Sequence, residues 1–304
     1  MATKKTSARK KAIARTKSFP IPPVEFDYAS ADEDSLREYG LDHIPRLHSD
    51  IVEGFQRAMA TPTKFIKPRF RRHSRRQNAT ATPALGNQAS GNWSGAFVNA
   101  PAGSQISSAA AQWSIPNFAT SGDGVSACSI WVGIDGYGSN DVFQAGVECD
   151  LTGGTNGIQS QLFPWYEWAP DGVRKITNLK ASVGDEIYCL ITAVSSTIGR
   201  IFLKNMTSSA AVNYQVSAPA STQLQGNCAE WIVEAPAIDG DPDSPLCNYG
   251  SVQFSGCTAA ASNASSLTPS DGTGLYMERD GQVFSTSASP APGELTCTYK
   301  GPVL

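Results

Sequence analysis

An all-β sandwich behind a basic head is the fold this 304-residue chain predicts, on three observations. From Asn92 onward, short apolar runs with period-two alternation recur about every ten residues. The connections between them are built from Gly, Asn, Asp, Ser and Pro, the residues of tight turns. The charge is also split: 17 of the 24 Lys and Arg, and the three histidines His43, His48 and His73, lie at or before Arg76. The rest of the chain carries seven Lys and Arg against eighteen Asp and Glu, so a net charge of −3 conceals a basic head on an acidic body.

In chain order, residues 1 to about 28 read as disordered, because Pro20, Pro22 and Pro23 break regular structure. Ser30 and Ser49 are helix-start signals with acids in the turn that follows, and Pro62 is a stop, which predicts one or two short helices. Residues 64–91, KFIKPRFRRHSRRQNATATPALGNQASG, are first basic and then small and polar, and read as an exposed linker of the kind proteases cut. Strands are expected near Asn92–Asn99, Ile106–Ile115, Ser129–Ile134, Val142–Cys149, Gln161–Trp168, Glu186–Val194, Arg200–Asn205, Val212–Val216, Glu230–Glu234 and Tyr249–Phe254, with more toward Tyr299. The chain therefore divides into a head, 1–90, and a β domain, 91–304.

Several classes are disfavoured. No apolar run reaches the roughly 20 residues of a membrane span. The start MATKKTSARKKAIARTK has no apolar core of a secretory signal and reads as a solvated tail. Neither a membrane nor a nucleic-acid partner is expected. Seven cysteines cannot all pair within one chain and show no CxxC spacing; Cys247 and Cys257, flanking a short Gly-containing loop, are the expected disulfide. Asn78, Asn92, Asn205 and Asn263 begin N-x-S/T sequons, which matter only on a secretory route.

The chemistry follows from alternation. In AEWIVE, Ala229, Trp231 and Val233 point one way and Glu230, Ile232 and Glu234 the other. SIWVGID sends Trp131, Gly133 and Asp135 to one face, FQAGVEC sends Gln144, Gly146 and Glu148, and FPWYEW sends Trp165 and Glu167. Each strand thus has an apolar face for a core and a second face of acids, an amide and large aromatics. With the small Gly133 and Gly146, exposed Trp131 and Trp165 would line a groove suited to a ligand. The body lacks histidine, which excludes a Ser-His-Asp or Cys-His arrangement and a His-rich zinc site unless the head contributes. Glu230 and Glu234 lie about 13 Å apart along a strand, beyond the roughly 5–9.5 Å of a glycosidase pair. A glycosidase would need acids from two strands, such as Glu167 and Glu234.

WVGIDG (Trp131–Gly136), FQAGVE (Phe143–Glu148), WYEW (Trp165–Trp168) and AEWIVE (Ala229–Glu234), in that order, resemble the glutamic peptidases, or eqolisins, of family G1. The resemblance runs from about Asn92 to the C-terminus. It implies a sandwich of two long, bent antiparallel sheets, concanavalin- or jelly-roll-like, with a Gln/Glu dyad on the concave face that hydrolyses proteins at acid pH without metal or cofactor. By motif the dyad falls on Gln144 and Glu234, while Trp93, Trp131, Asp135, Trp165 and Glu167 match positions lining the substrate cleft. The loop from Asp135 to Gln144 is shorter than in the family and lacks a cysteine, and Cys228 is displaced, so the family's disulfides do not carry over.

The expectation is a monomeric acid endopeptidase acting on proteins or peptides, resistant to chelators and to pepstatin; extracellular location rests on analogy. The alternative from another class is a carbohydrate-binding sandwich or glycoside hydrolase using the same groove. The basic head, with Lys64, Lys67, Arg69, Arg71, Arg72, Arg75 and Arg76, is expected to act as a propeptide. It would pair with cleft carboxylates whose pKa values the pairing depresses, and release the body as pH falls.

Overall fold

The computed structural model describes residues 15–74, 89–120, 124–139, 141–154, 157–241, 243–263 and 265–302. Among these, the head holds β1 (Arg15–Ser18), α1 (Glu33–Glu38), α2 (Ser49–Met59), β2 (Lys64–Phe65) and β3 (Phe70–Arg72). The body holds β4 (Ala89–Ser90), β5 (Trp93–Asn99), β6 (Ile106–Ser114), β7 (Val125–Ile134), β8 (Phe143–Thr152), β9 (Gln159–Trp168), β10 (Arg174–Ile176), β11 (Glu186–Ser195) and β12 (Ile198–Asn205). It continues with β13 (Ala210–Ser217), β14 (Cys228–Glu234), β15 (Ser251–Ala261), β16 (Ser266–Leu267), β17 (Thr273–Arg279), β18 (Gln282–Ala288) and β19 (Leu295–Tyr299). Every strand expected from alternation is present.

A back sheet runs β1–β13–β12–β11–β6–β15–β19–β18. A front sheet runs β3–β10–β9–β8–β7–β14–β5–β17. Because β17 also pairs with β18, the two layers are one sheet folded over on itself. Pairing is antiparallel except for β2 with β13 and β4 with β17. Between the layers lies the main core. Ile130, Val132, Ala145 and Val147 of the front sheet meet Cys189, Ile191, Ile201 and Leu203 of the back sheet, and Ala229, Trp231 and Val233 lie in the same core, as alternation requires.

The head is more ordered than its composition suggests. Residues 15–18, expected to be disordered, form β1 on the open edge of β13, just before the prolines that cannot join a ladder. Helix α1 begins after Asp32 rather than at Ser30. Asp32 Oδ1 accepts the Ser35 N–H at 2.7 Å, whereas the Ser30 hydroxyl is turned back onto Asp27. Helix α2 starts at Ser49 as expected and buries Ile51, Phe55 and Ala58. The basic stretch after it is no exposed linker, since β2 and β3 satisfy their backbones on the edges of β13 and β10. Residues 1–14 and 75–88, with Arg75, Arg76 and most of the expected cleavage linker, lie outside the described residues.

All seven cysteines are free and buried. The expected Cys247–Cys257 disulfide is not formed. The Cys247 thiol donates toward Ser126 Oγ at 3.5 Å, and both thiols fill the apolar core, where burial pushes them away from ionisation. The Asn205 sequon is closed as well, because its side-chain amide donates to Lys180 O and Asp185.

Candidate active site

The second face of the front sheet is organised by register. One row across β5, β14, β7, β8 and β9 reads Phe97, Glu230, Gly133, Gln144, Glu167. The next reads Gly95, Ile232, Trp131, Gly146, Trp165, and the third Trp93, Glu234, Ser129, Glu148, Phe163. Gln144 and Glu234 therefore share a face, on strands two apart, with Trp131 in the row between. Gly146 is needed here because a Cβ at that position would meet Ile130 O at 2.0 Å, a backbone atom that cannot yield.

Two contacts fix the polar groups. The Gln144 Nε2–H donates to Glu167 Oε2 at 2.9 Å, and the Trp131 indole N–H donates to Glu234 Oε2 at 2.9 Å. The first contact orients the Gln144 amide with its nitrogen toward Glu167. Trp93 lies edge-on to Trp131, with ring centroids 4.9 Å apart. Against expectation Trp131 and Trp165 are not exposed. With Trp93, Phe163, Ile232 and Leu275 they interlock into an apolar cluster separate from the main core, and the acids among them are buried too.

Asp135 takes a different place. At the end of β7, with φ of 62°, it accepts the backbone N–H groups of Gln225, Gly226 and Asn227 at 2.6–2.9 Å. Its carboxylate thus ties down the loop that leads into β14 and its two glutamates.

Glu230 is distinct from Glu234. Its Oε1 accepts the Tyr137 N–H at 3.2 Å and the Cys228 thiol at 2.9 Å. Burial, reinforced by the charge of Asp135, pushes its pKa well above the carboxylate range in spite of those two donors.

The head supplies the histidine that the body lacks. His73, just beyond β3, places Nε2 at 3.0 Å from Asp150 Oδ2 and 3.5 Å from Glu148 Oε1, with its ring against Phe163. No local pattern announces this; β3 has to pair with β10 before His73 reaches acids of β8. A cavity of about 440 Å³ lies alongside, lined by Arg71, Arg72, His73, Asp150, Gln161 and Lys175 among others. The ligand atoms of His73, Glu148 and Asp150 lie within 4.8 Å of one another and form a donor set that could hold a metal ion, although the Lys175 ammonium, 3.7 Å from Asp150, competes with a cation.

Two observations bear on the electrostatics expected of the head, of whose bases Arg75 and Arg76 lie outside the described residues. Arg71 and Arg72 stand opposite Lys175 and Arg174 across the strand pair, like charges facing each other. Asp150, the acid that His73 of the head touches at 3.0 Å, is raised rather than depressed. Burial, with the charge of Glu148, lifts Asp150 in spite of His73 and Lys175. Burial opposes the charge of His73, but its bonds to Asp150 and Glu148 outweigh that and raise it.

Comparison with known proteins agrees with this arrangement. Residues 91–299 match the Peptidase A4 family. The chain is 34% identical over 172 residues to aspergillopepsin-2 of Aspergillus niger, an alignment covering 56% of this chain and 58% of that protein. It is 26% identical over 249 residues to scytalidopepsin B of Scytalidium lignicola, covering 77% and 90%. In fold it resembles the crystal structure of scytalido-glutamic peptidase with a transition state analog inhibitor, with a TM-score of 0.59 at 24% identity, over 69% of this chain and 98% of that one. The chain belongs to the Peptidase A4 family, the eqolisins or glutamic peptidases that its four motifs resemble.

Proposed function

We propose that this chain is an acid-active, metal-independent endopeptidase in which Glu234 and Gln144 form the catalytic dyad. The observation that carries the reading is the pair of fixed contacts on one buried face: Gln144 held by Glu167, and Glu234 held by the Trp131 indole. As a carboxylate, Glu234 takes a proton from a water attacking the peptide carbonyl and then passes it to the leaving nitrogen. One N–H of Gln144 is engaged with Glu167, and the other serves the carbonyl oxygen as it becomes negative. An amide suits this task in acid because it is a neutral donor at any pH. Trp93, Trp131 and Trp165, buried in the full chain, become the apolar walls against which peptide side chains pack once the head has left, and Asp135 acts by holding the loop before β14.

Residues 1–90 are the inhibitory propeptide and residues 91–304 the enzyme. This division is supported by the docking of β3 and His73 beside the face that carries the dyad. Incubating the purified chain at about pH 4 with acid-denatured haemoglobin or casein, with and without a chelator, and in parallel with a panel of polysaccharides, tests the reading. Peptide release that the chelator leaves unchanged is expected. Sugar hydrolysis or binding without proteolysis overturns it in favour of a carbohydrate-active sandwich.

A further inference from the structure

The outer face of the back sheet, remote from the dyad, is built to hold the head. Tyr188 and Leu190 of β11, Phe202 of β12 and Ala211 of β13 form an apolar patch covered by Tyr28, Leu36, Phe55 and Phe65 of the head. The rings of Phe55 and Phe202 meet edge to face at 4.8 Å. Tyr188 and Phe202 alone amount to about 300–500 Å² of side-chain surface, as much as the largest apolar patch a soluble monomer usually exposes.

Polar groups in the same patch are also matched to the head. Lys204 of β12 is buried, and its Nζ donates to Ala58 O, Thr61 O, Thr61 Oγ1 and Thr63 Oγ1 at 2.7–3.1 Å, all at the C-terminal end of α2. Asn213 of β13 donates to Tyr39 O at 2.8 Å. Arg200 Nη1 lies 2.8 Å from Gly40 O, 2.9 Å from Asp42 Oδ1 and 2.8 Å from His43 Nδ1. A buried ammonium held by Ala58, Thr61 and Thr63, all of one segment, is costly to strip of that segment.

We propose that residues 15–65 are a docked subunit that holds the outer face of the back sheet without needing the covalent link, and that the His43–Arg200 contact is where acid undocks it. This deepens the zymogen reading, and the test below measures binding rather than hydrolysis, so either can fail alone.

Chemistry assigns the sensor. A guanidinium has no acceptor, so His43 Nδ1 must be unprotonated to sit 2.8 Å from Arg200. A proton on Nδ1 puts a second cation against the guanidinium. The groups facing His43 are Arg200 from β12, Asp42 beside it and the carbonyl of Gly40. Lys17 lies over Phe19, which also carries Arg200. Burial and the charge of Arg200 lower His43 from 6.5 to about 3, and Asp42 offsets them only in part. With the docked value below the free one, this contribution to docking is complete above pH 6.5 and fades as pH falls toward 3. Lys204, lowered to about 8 by burial, stays protonated throughout that window, and its acceptors are neutral, so it does not titrate. A second hold, β3 with His73 and Phe70, lies on the front sheet and does not involve His43, so the His43→Gln variant separates the two.

To test this, a specific protease site is placed within residues 77–88 of the full chain, which is cut at about pH 7.5 and passed over a sizing column at about pH 7.5 and about pH 4, with the mass of each peak read. Co-elution of fragment and body is expected at the higher pH. Since His43 keeps some surface, the retained fraction should fall at the lower pH by at least about ten-fold rather than by the full shift. His43→Gln keeps an acceptor for Arg200 but takes up no proton, and should hold the fragment at both pH values. Thr61→Ala with Thr63→Ala, which removes two acceptors of Lys204 without touching the body, should loosen the fragment even at about pH 7.5. Near-UV circular dichroism confirms that the body stays folded. Separation of the wild-type fragment at about pH 7.5, equal retention at both pH values, or release of the His43→Gln fragment at the same pH as wild type overturns the proposal.

Discussion

Glu230 and Glu234 lie four residues apart on one strand and face the same side, yet their surroundings differ, and substitution should separate them. Glu234→Gln should keep the fold and abolish peptide hydrolysis, because an amide cannot accept a proton from water. Gln144→Ala should lower kcat on the order of 10²-fold or more by loss of an oxyanion donor. Glu230, buried with its pKa raised, is already neutral in acid, so Glu230→Gln is nearly isosteric with the form present and should leave kcat within a few-fold. If Glu230→Gln kills activity and Glu234→Gln spares it, the roles are reversed. The same shift sets a stability effect. A carboxyl raised in the folded state costs stability as pH rises above its ordinary 4.5, so melting scans should show the wild type losing more than Glu230→Gln between pH 4.5 and neutrality.

Among elements, β8 carries a test of side-chain size at Gly146. Gly146→Ala pushes a methyl into the backbone of β7 and should cost about 1–3 kcal/mol, read as a lower denaturation midpoint, while Val147→Ala tests only the core side. Strand β3 makes a separate prediction. His73 is raised in the folded state, so its contribution is complete below about 6.5 and lost as pH rises through its folded value. His73→Ala should therefore lower the melting temperature more at about pH 6 than at about pH 9; an effect independent of pH would mean the ring acts by packing on Phe163 alone. The strands of the body were legible because period-two alternation is local, and it sorted Trp131, Gln144, Glu167 and Glu234 onto one face correctly. The burial of Trp131 and Trp165 was not legible, since exposure depends on what packs over a face. Nor was the strand character of β1 and β3, which exists only because β13 and β10 leave edges open to them.

For the whole molecule, seven free buried thiols predict that a reductant leaves the melting temperature unchanged, and that a thiol reagent reads none quickly in the native protein and seven after denaturation. A count of five would restore one disulfide. The sequence by itself determined the sandwich, the split between basic head and acidic body, and the family through four ordered motifs, because each depends on residue type and short spacing. Only the tertiary structure decided that the head lies across the outer face of the back sheet, with Lys204 and Arg200 as its acceptor-seeking anchors, and that His73 joins Glu148 and Asp150. It also decided that Asp135 ties down the loop before β14, and that Asp150 and Glu230 titrate upward. These facts turn on burial and on contacts between residues tens to more than a hundred positions apart, and a carboxylate or an imidazole has no fixed pKa until the chain has closed around it.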